Sequence, residues 1–393
     1  MAKNKIVFIS DVHIGTNGKT SWYDKSVHEP YLLATLQYVY DNADSIQQLV
    51  LLGDLVDFWT YPVDEMPPTF DDIISSNPNI FLDYQDNNSY RGSSAGLLSQ
   101  VLSALQGKVT YINGNHDMTL TQDDLNKIPN PDGYRISRIS DPVYYPLDDS
   151  HDIYCTHGHI FSLLCAPDIE PSNNYTPLPL GYLVTRAAAS YYKRILKPNQ
   201  RVVDLPDSTG IPSGWDFDSD VINQVINYLK KGDPNVVGII VNALSGGTGV
   251  SLTQPITMPD GTTTTLQQSI SLYQNLFYIW LQNYGVEKTV YALLYVDDRD
   301  DLSTFAVNIE QTTGAKVVVM GHTHVPYRDY PSKFAKHVYA NSGFNCPSVP
   351  DIGKKHPSFV EIEINGDSYN TNVYQILKQN GSYTPVRWKG YQR

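Results

Sequence analysis

Asp11 and His13 stand two positions apart just after the apolar run Lys5–Ile9, in the stretch KIVFISDVHIGTNG. In an extended segment residues i and i+2 point the same way, so this carboxylate and imidazole can hold one ion between them. Taken alone, the triplet reads first as a surface turn. The pattern recurs, however: QQLVLL runs into Gly53, Asp54 and, three residues later, Asp57, and KVTYI runs into Asn113, Gly114, Asn115, His116 and Asp117. DIYCT leads into His157, Gly158 and His159, and AKVVVM into Gly321, His322, Thr323 and His324. Six of the ten histidines lie in these five strand-like segments, all near the C-terminal end. Any one of them is more often a satisfied core histidine, but histidines used for packing have no reason to gather at strand exits. Ligand sites of open α/β sheets lie outside the carboxyl ends of the strands. The five loops are therefore expected to converge on one crevice.

The ordered set D-x-H, G-D-x-x-D, G-N-H-D, H-G-H and G-H-T-H resembles the calcineurin-like metallophosphoesterase superfamily. That resemblance implies an α/β fold, a two-sheet α/β/β/α sandwich, around a dinuclear metal centre. The motifs run from residue 11 to residue 324, so it covers the core but not the stretch between His159 and Lys316. By the same resemblance Asp11, His13 and His324 hold the first ion, Asn115, His157 and His322 the second, and Asp54 bridges them. His157 is preferred to His159 as ligand because the family uses the first histidine of this motif, which leaves His159 either behind the ligands or facing the substrate. His116 is implied as the group that protonates the leaving oxygen, with Asp57 hydrogen-bonded to its far nitrogen; a helix-capping role for His116 is the structural alternative. Asp117 is expected to do no more than orient its loop.

Two divalent ions about 3.5–4 Å apart can share a carboxylate and a hydroxide and clamp both oxygens of an in-line displacement at phosphorus. Mixed oxygen and imidazole ligands suit Mn, Fe or Zn better than Ca or Mg, and the lack of cysteine ligands argues against a structural zinc site. Manganese is the favoured pair. The departures from relatives narrow the chemistry. Protein phosphatases of the superfamily carry an arginine after the second aspartate and read G-N-H-E, whereas here Phe58 and Trp59 follow Asp57 and the motif is G-N-H-D. FISDVHIGTN with GDLVDFW is also similar to the UDP-diacylglucosamine pyrophosphohydrolases, which however have arginine at the place of His116 and are much shorter. The expectation is a hydrolase of phosphodiester or pyrophosphate bonds acting on a small phosphate-ester substrate. A phosphomonoesterase of small metabolites and a catalytically silent metal-binding scaffold are the alternatives.

Positioning these residues takes a large core, and a chain of 393 residues with 41% hydrophobic content can supply one together with an insertion. A formal net charge of −13 disfavours nucleic acid and anionic membranes as partners. No apolar run reaches the length of a membrane span and the start lacks a secretory signal pattern, so a soluble, cytoplasmic protein is expected. Cys155, Cys165 and Cys346 fit that reducing compartment as core fillers. The sequence leaves the oligomeric state open.

Residues 1–164 and 316–393 are read as the core and 165–315 as a mostly helical insertion forming a cap. Helices are expected over 29–42 and 94–106, with a Pro-, Asp- and Asn-rich excursion at 60–92 beside the site. KHVYANSG, SFVEIEI and NVYQILK alternate like strands and are expected to complete the second sheet; the tail from Gln379 gives no strong signal. Helical periodicity recurs from Leu180 to Ile195, from Val221 to Leu229 and from Leu266 to Tyr284. The first of these carries Arg186, Lys193 and Lys197 along one side. Arg186 is the substrate-binding candidate, against the commoner reading of a solvated charged face. SGGTGVS, residues 245–251, has the glycines of a phosphate-binding loop but no following lysine, so a flexible link is expected ahead of that reading.

Overall fold

A computed structural model describes residues 3–82, 96–166, 178–205, 219–233, 235–294, 302–328, 338–344, 346, 350 and 356–389. In chain order the strands are β1 (Lys5–Ile9), β2 (Ile46–Leu52), β3 (Val109–Ile112), β4 (Ser137–Ile139) and β5 (Ile153–Cys155). A short hairpin, β6 (Ile256–Thr257) and β7 (Thr263–Thr264), precedes β8 (Val317–Met320), β9 (Tyr327–Arg328), β10 (Val338–Asn341), β11 (Ser358–Asn365), β12 (Ser368–Gln379) and β13 (Ser382–Arg387). They build a seven-stranded sheet, β13-β12-β11-β1-β2-β3-β4, and a four-stranded sheet, β5-β8-β10-β9.

The near-continuous apolar runs of β1, β2 and β3 are explained by burial on both faces. Ile6, Phe8, Val50, Leu52 and Ile112 point into a core shared with Ile153, Cys155, Val317, Val319 and Ala340 of the second sheet. Their alternates Val7, Ile9, Leu49, Leu51, Val109 and Tyr111 point the other way, into a core with Leu32, Leu36 and Val39 of the helix Lys25–Asp41 and Val101 of the helix Leu97–Ala104. The result is the expected α/β/β/α sandwich. β1, β2, β3 and β4 run parallel, as do β5, β8 and β10, which brings the ligand-bearing strand exits to one end.

Several expectations change. The helix Lys25–Asp41 begins four residues before the predicted start, because Asp24 caps it by accepting from Ser26 N at 2.8 Å. Only Val338–Asn341 joins the second sheet. β11 and β12 extend the first: β11 lies antiparallel to β1, with Ile6 opposite Ile362 and Phe8 opposite Val360, and β12 antiparallel to β11, and so they cover an edge that would otherwise stand open. The tail adds β13 through a two-residue turn at Asn380 and Gly381, both with positive φ. Asn-Gly is the usual sequence of such a hairpin. The strand itself is mostly exposed and carries Pro385, as an edge strand tolerates.

Between residues 165 and 315 helices lie at Leu180–Ile195, Ser219–Lys231, Val236–Thr248 and Leu266–Leu294, the last broken at Gly285 (φ 72°, ψ 172°). SGGTGVS is no flexible link: Ser245–Thr248 complete a helix that Gly249 ends in the left-handed conformation, φ 67°. The helix Ser303–Thr313 leads directly into β8, and its Phe305 stacks on Phe161. Among the described residues no helix is long and apolar enough to cross a membrane.

Candidate metal centre

Asp11, His13, Asp54, His322 and His324 all have positive φ, between 52° and 73°, and make up five of the nine described non-glycine residues that do. This backbone costs an L-residue roughly 1–2 kcal/mol each, and such strain gathers where a site over-determines it. It also revises why Asp11 and His13 converge. Both lie beyond the end of β1, and left-handed turns aim them, not the pleat of a strand. The loops are stitched by Asp11 N to Gly53 O at 3.1 Å, His13 N to Asp54 O at 2.8 Å and His322 N to Asp11 Oδ1 at 2.7 Å. Gly53 is required where it stands: its φ is +83°, and a Cβ there would sit 2.6 Å from both Gly114 N and His157 Nδ1.

The side chains gather as three groups in which every ligand atom lies within 4.8 Å of the others: Asp11, His13 and His324; Asp54, His157 and His322; and, sharing His13, the group His13, Asp57 and His116. In the first, His13 Nε2 and His324 Nε2 face each other at 3.0 Å. His324 Nδ1 donates to Cys346 O, which leaves its Nε2 as the open donor atom. In the second group His157 Nδ1 donates to Leu52 O at 2.8 Å, turning Nε2 to within 3.2 Å of Asp54 Oδ2. Asn115 Oδ1 lies 3.1 Å from His322 Nδ1, which brings Asn115 beside the second group. Asp54 stands between the groups, its Oδ2 also 3.8 Å from His13 Nε2. Asp54 Oδ2 and His157 Nε2 are buried without a hydrogen-bond partner. A buried carboxylate oxygen 3.2 Å from an imidazole nitrogen, neither with another hydrogen-bond partner, fits a divalent ion, as does the mixed oxygen and nitrogen donor set.

His116 lies against Asp57, Nδ1 to Oδ1 at 3.1 Å, and its backbone N–H donates to Asp54 Oδ1 at 2.8 Å. It caps no helix. Asp57 Oδ1 is fixed in turn by Trp59 N at 2.7 Å and Thr60 N at 3.1 Å. Burial pushes the His116 imidazole down, but the charge and hydrogen bond of Asp57 outweigh it and the net shift is upward. Burial likewise works to raise the Asp57 carboxyl, and His116 with His13 brings it well below the usual carboxylate range. A neutral residue at 57 therefore lowers the pKa of His116, so the proton is lost at lower pH. In Asp57→Asn the alkaline limb of the kcat–pH profile is expected to move to lower pH with metal content retained; an unmoved limb would separate Asp57 from His116.

Asp117 clamps two ligand loops by accepting from Gly114 N at 2.7 Å, Leu55 N at 3.0 Å and the Tyr111 hydroxyl. Burial and the nearby Asp54 charge raise its carboxyl to about 7. His159 is buried, its ring 5.4 Å from that of His157, and burial together with His157 and His322 keeps it neutral.

Arg186 corrects the sequence reading. Its guanidinium is fully buried and donates to Tyr61 O at 2.5 Å, Pro62 O at 2.7 Å, Glu65 O at 2.6 Å, Thr257 O at 2.7 Å and the Tyr182 hydroxyl. Its place on the inner face of the helix commits every donor to pinning the insertion onto the loop after the second motif, and leaves none for a phosphate. Lys193, on the same helix, pairs at the surface with Asp64 and Glu65. Arg186→Met leaves those carbonyls unpaired in a dry site, and an expected loss of about 2–4 kcal/mol in unfolding free energy follows. A change below about 1 kcal/mol in denaturant unfolding would contradict that role.

The sequence reading missed two rings. Trp59, buried, stacks on His116 with centroids 4.5 Å apart and planes at 27°. Trp22, half-buried, lies 4.9 Å from both His13 and His116 and 5.7 Å from His324. Trp59 adjoins a motif and was open to notice; Trp22 stands in a loop that no motif marks.

Sandwich and site together define a metallophosphoesterase-type protein. The family model for calcineurin-like phosphoesterases matches residues 4–248, more than half of the chain, and the chain belongs to that family. Its members bind divalent metals at a dinuclear site. Among solved structures, a double mutant of Vps29 from Entamoeba histolytica is 21% identical over 24% of this chain and 48% of that one, with a TM-score of 0.18. The match spans about half the Vps29 length. A conserved uncharacterized protein from Streptococcus pneumoniae TIGR4, described as a predicted phosphoesterase, is 11% identical over 99% of both chains, with a TM-score of 0.29. No curated protein matches the chain. The likeness to UDP-diacylglucosamine pyrophosphohydrolases has no counterpart in these matches.

Proposed function

We propose that this protein is a metal-dependent hydrolase of phosphodiester or pyrophosphate bonds, with Asp11, His13 and His324 holding one ion, Asn115, His157 and His322 a second, and Asp54 bridging them. Ions so held, manganese by preference, neutralise the phosphoryl oxygens and lower the pKa of a water. The chain's own part falls to His116. Asp57 keeps its Nδ1 protonated and its ring oriented, so Nε2 can carry the proton that the leaving oxygen needs. The observation that carries this reading is the convergence of five ligand-bearing loops beside a histidine already paired with a carboxylate. The diester preference rests on charge. The ion pairs described for Asp11, Asp54 and Asp57 are all with histidines, and Arg186 is spent on carbonyls. A site whose positive charge comes from its ions suits a singly charged diester better than a dianionic monoester.

The insertion is proposed as a cap over this end of the sandwich. Its Arg201 grips Asp24 at 2.5 Å and Asn17 O, Val202 N donates to Lys19 O at 3.0 Å, and Tyr182 lies edge-on to Trp59 at 5.8 Å. These contacts support the cap because each falls on a loop that carries or flanks a ligand. The test is turnover of an aryl phosphodiester against the matching aryl phosphomonoester by the manganese-loaded protein. Faster diester turnover is expected. Faster monoester turnover moves the assignment to a phosphomonoesterase, and two bound ions without turnover of either leave a metal-binding scaffold.

A further inference from the structure

His116 lies between two indoles of unlike exposure. Trp59 is buried against one side of the imidazole and serves as its backing. Trp22 is partly open to solvent and reaches His13, His116 and His324 together, with centroid distances of 4.9, 4.9 and 5.7 Å. If His116 protonates the leaving oxygen, whatever that oxygen carries must lie beside His116, where Trp22 borders the site. We propose that Trp22 is the wall of the leaving-group pocket and that the substrate is a small phosphate ester whose leaving group carries a planar ring, a nucleoside or an aryl alcohol. This rests on the hydrolase reading given above.

The indole is held for such a task. Behind it Tyr192, Leu196 and Val202 of the insertion form an apolar cluster in which Trp22 is packed. Arg201 ties down both Asn17 and Asp24 on either side of it, and Lys19 O accepts from Val202 N. A ring fixed in advance loses little freedom when a ligand stacks on it. The arrangement also gives the insertion a part in specificity, since the helix end that backs Trp22 is its own.

Binding can be read without turnover, using phosphonates whose P–C bond the site does not hydrolyse. Calorimetric titration of the manganese-loaded protein with phenylphosphonate, ethylphosphonate and inorganic phosphate is expected to rank the phenyl compound tightest. Trp22→Leu is expected to weaken phenylphosphonate by about 5- to 100-fold, the span measured for ring stacking on an aromatic side chain. Ethylphosphonate, phosphate and the metal content stay within twofold, and Trp22→Phe keeps most of the advantage. Arg201→Ala, which loosens the Trp22 loop without touching the ring, is expected to show the same selective loss in smaller degree. Adenosine 5′-monophosphate added as a further titrant separates a nucleoside preference from an aryl one. Equal weakening of all ligands by Trp22→Leu, or no change in the phenyl advantage, overturns the proposal. Neither result depends on whether diesters turn over, so a failure here is distinct from a failure of the hydrolase assignment.

Discussion

Asp54→Ala is expected to release at least one of two manganese ions per chain and to cut turnover by more than about 10³-fold, since ions of this kind supply several kcal/mol of charge stabilisation. The side chain is almost wholly buried, and its two oxygens do different work. Oδ1 accepts from His116 N at 2.8 Å and so sets the loop of the proposed acid, while Oδ2 lies 3.2 Å from His157 Nε2 and 3.8 Å from His13 Nε2. Burial works to raise the Asp54 carboxyl, but His157, with His116 and His13 behind it, holds it well below the ordinary carboxylate range. It is therefore charged in the folded protein at neutral pH. Its loss should affect good and poor leaving groups alike. Retention of two ions at unchanged affinity in Asp54→Ala would remove it from the centre of the site.

His116→Ala should behave otherwise. His116 contacts Asp57, Trp59, Trp22, His13, the Asp54 carboxylate and, through its backbone carbonyl, Phe58 N, and its Nδ1 is already committed to Asp57 at 3.1 Å. Truncation then removes a proton donor and leaves the ligand set standing. kcat is expected to fall by about 10²–10⁴, the usual contribution of a positioned general acid, with both ions retained. The loss should shrink as the leaving group improves, because an oxygen that departs readily as an anion has little need of a proton. Plotted against leaving-group pKa, log kcat should be steeper for His116→Ala than for the wild type. Parallel lines would assign His116 to binding or support.

How far these residues could be read from the chain follows from where their signals lie. The seven proposed ligands, His116 and Asp57 sit on short loops directly after strands, and a buried strand announces itself by its apolar run, so residue type and position coincide. The geometry that brings Asp11 and His13 together was not legible, because left-handed backbone at Asp11, His13 and Asp54 is imposed by the hydrogen bonds between loops and not by the residues themselves. Pairing was the weaker part of the fold reading. β11 and β12 alternate as strands should, yet alternation does not tell which sheet they join, and the open edge of β1 decided it. β13 hid because an exposed edge strand lacks a hydrophobic face, though Asn380 and Gly381 marked its turn. Arg186 misled for a different reason. Helical periodicity gives a face but not its neighbour, and here the neighbour is a row of carbonyls that a guanidinium satisfies.

The central claim is that two ions held by these seven residues make the protein a phosphodiester hydrolase. The most direct measurement titrates metal-free protein with manganese while following both bound metal and turnover of an aryl phosphodiester. Turnover should climb to a plateau as occupancy reaches two ions per chain and stay near background at one. A plateau at a single ion, or two tightly bound ions with no turnover, would contradict it.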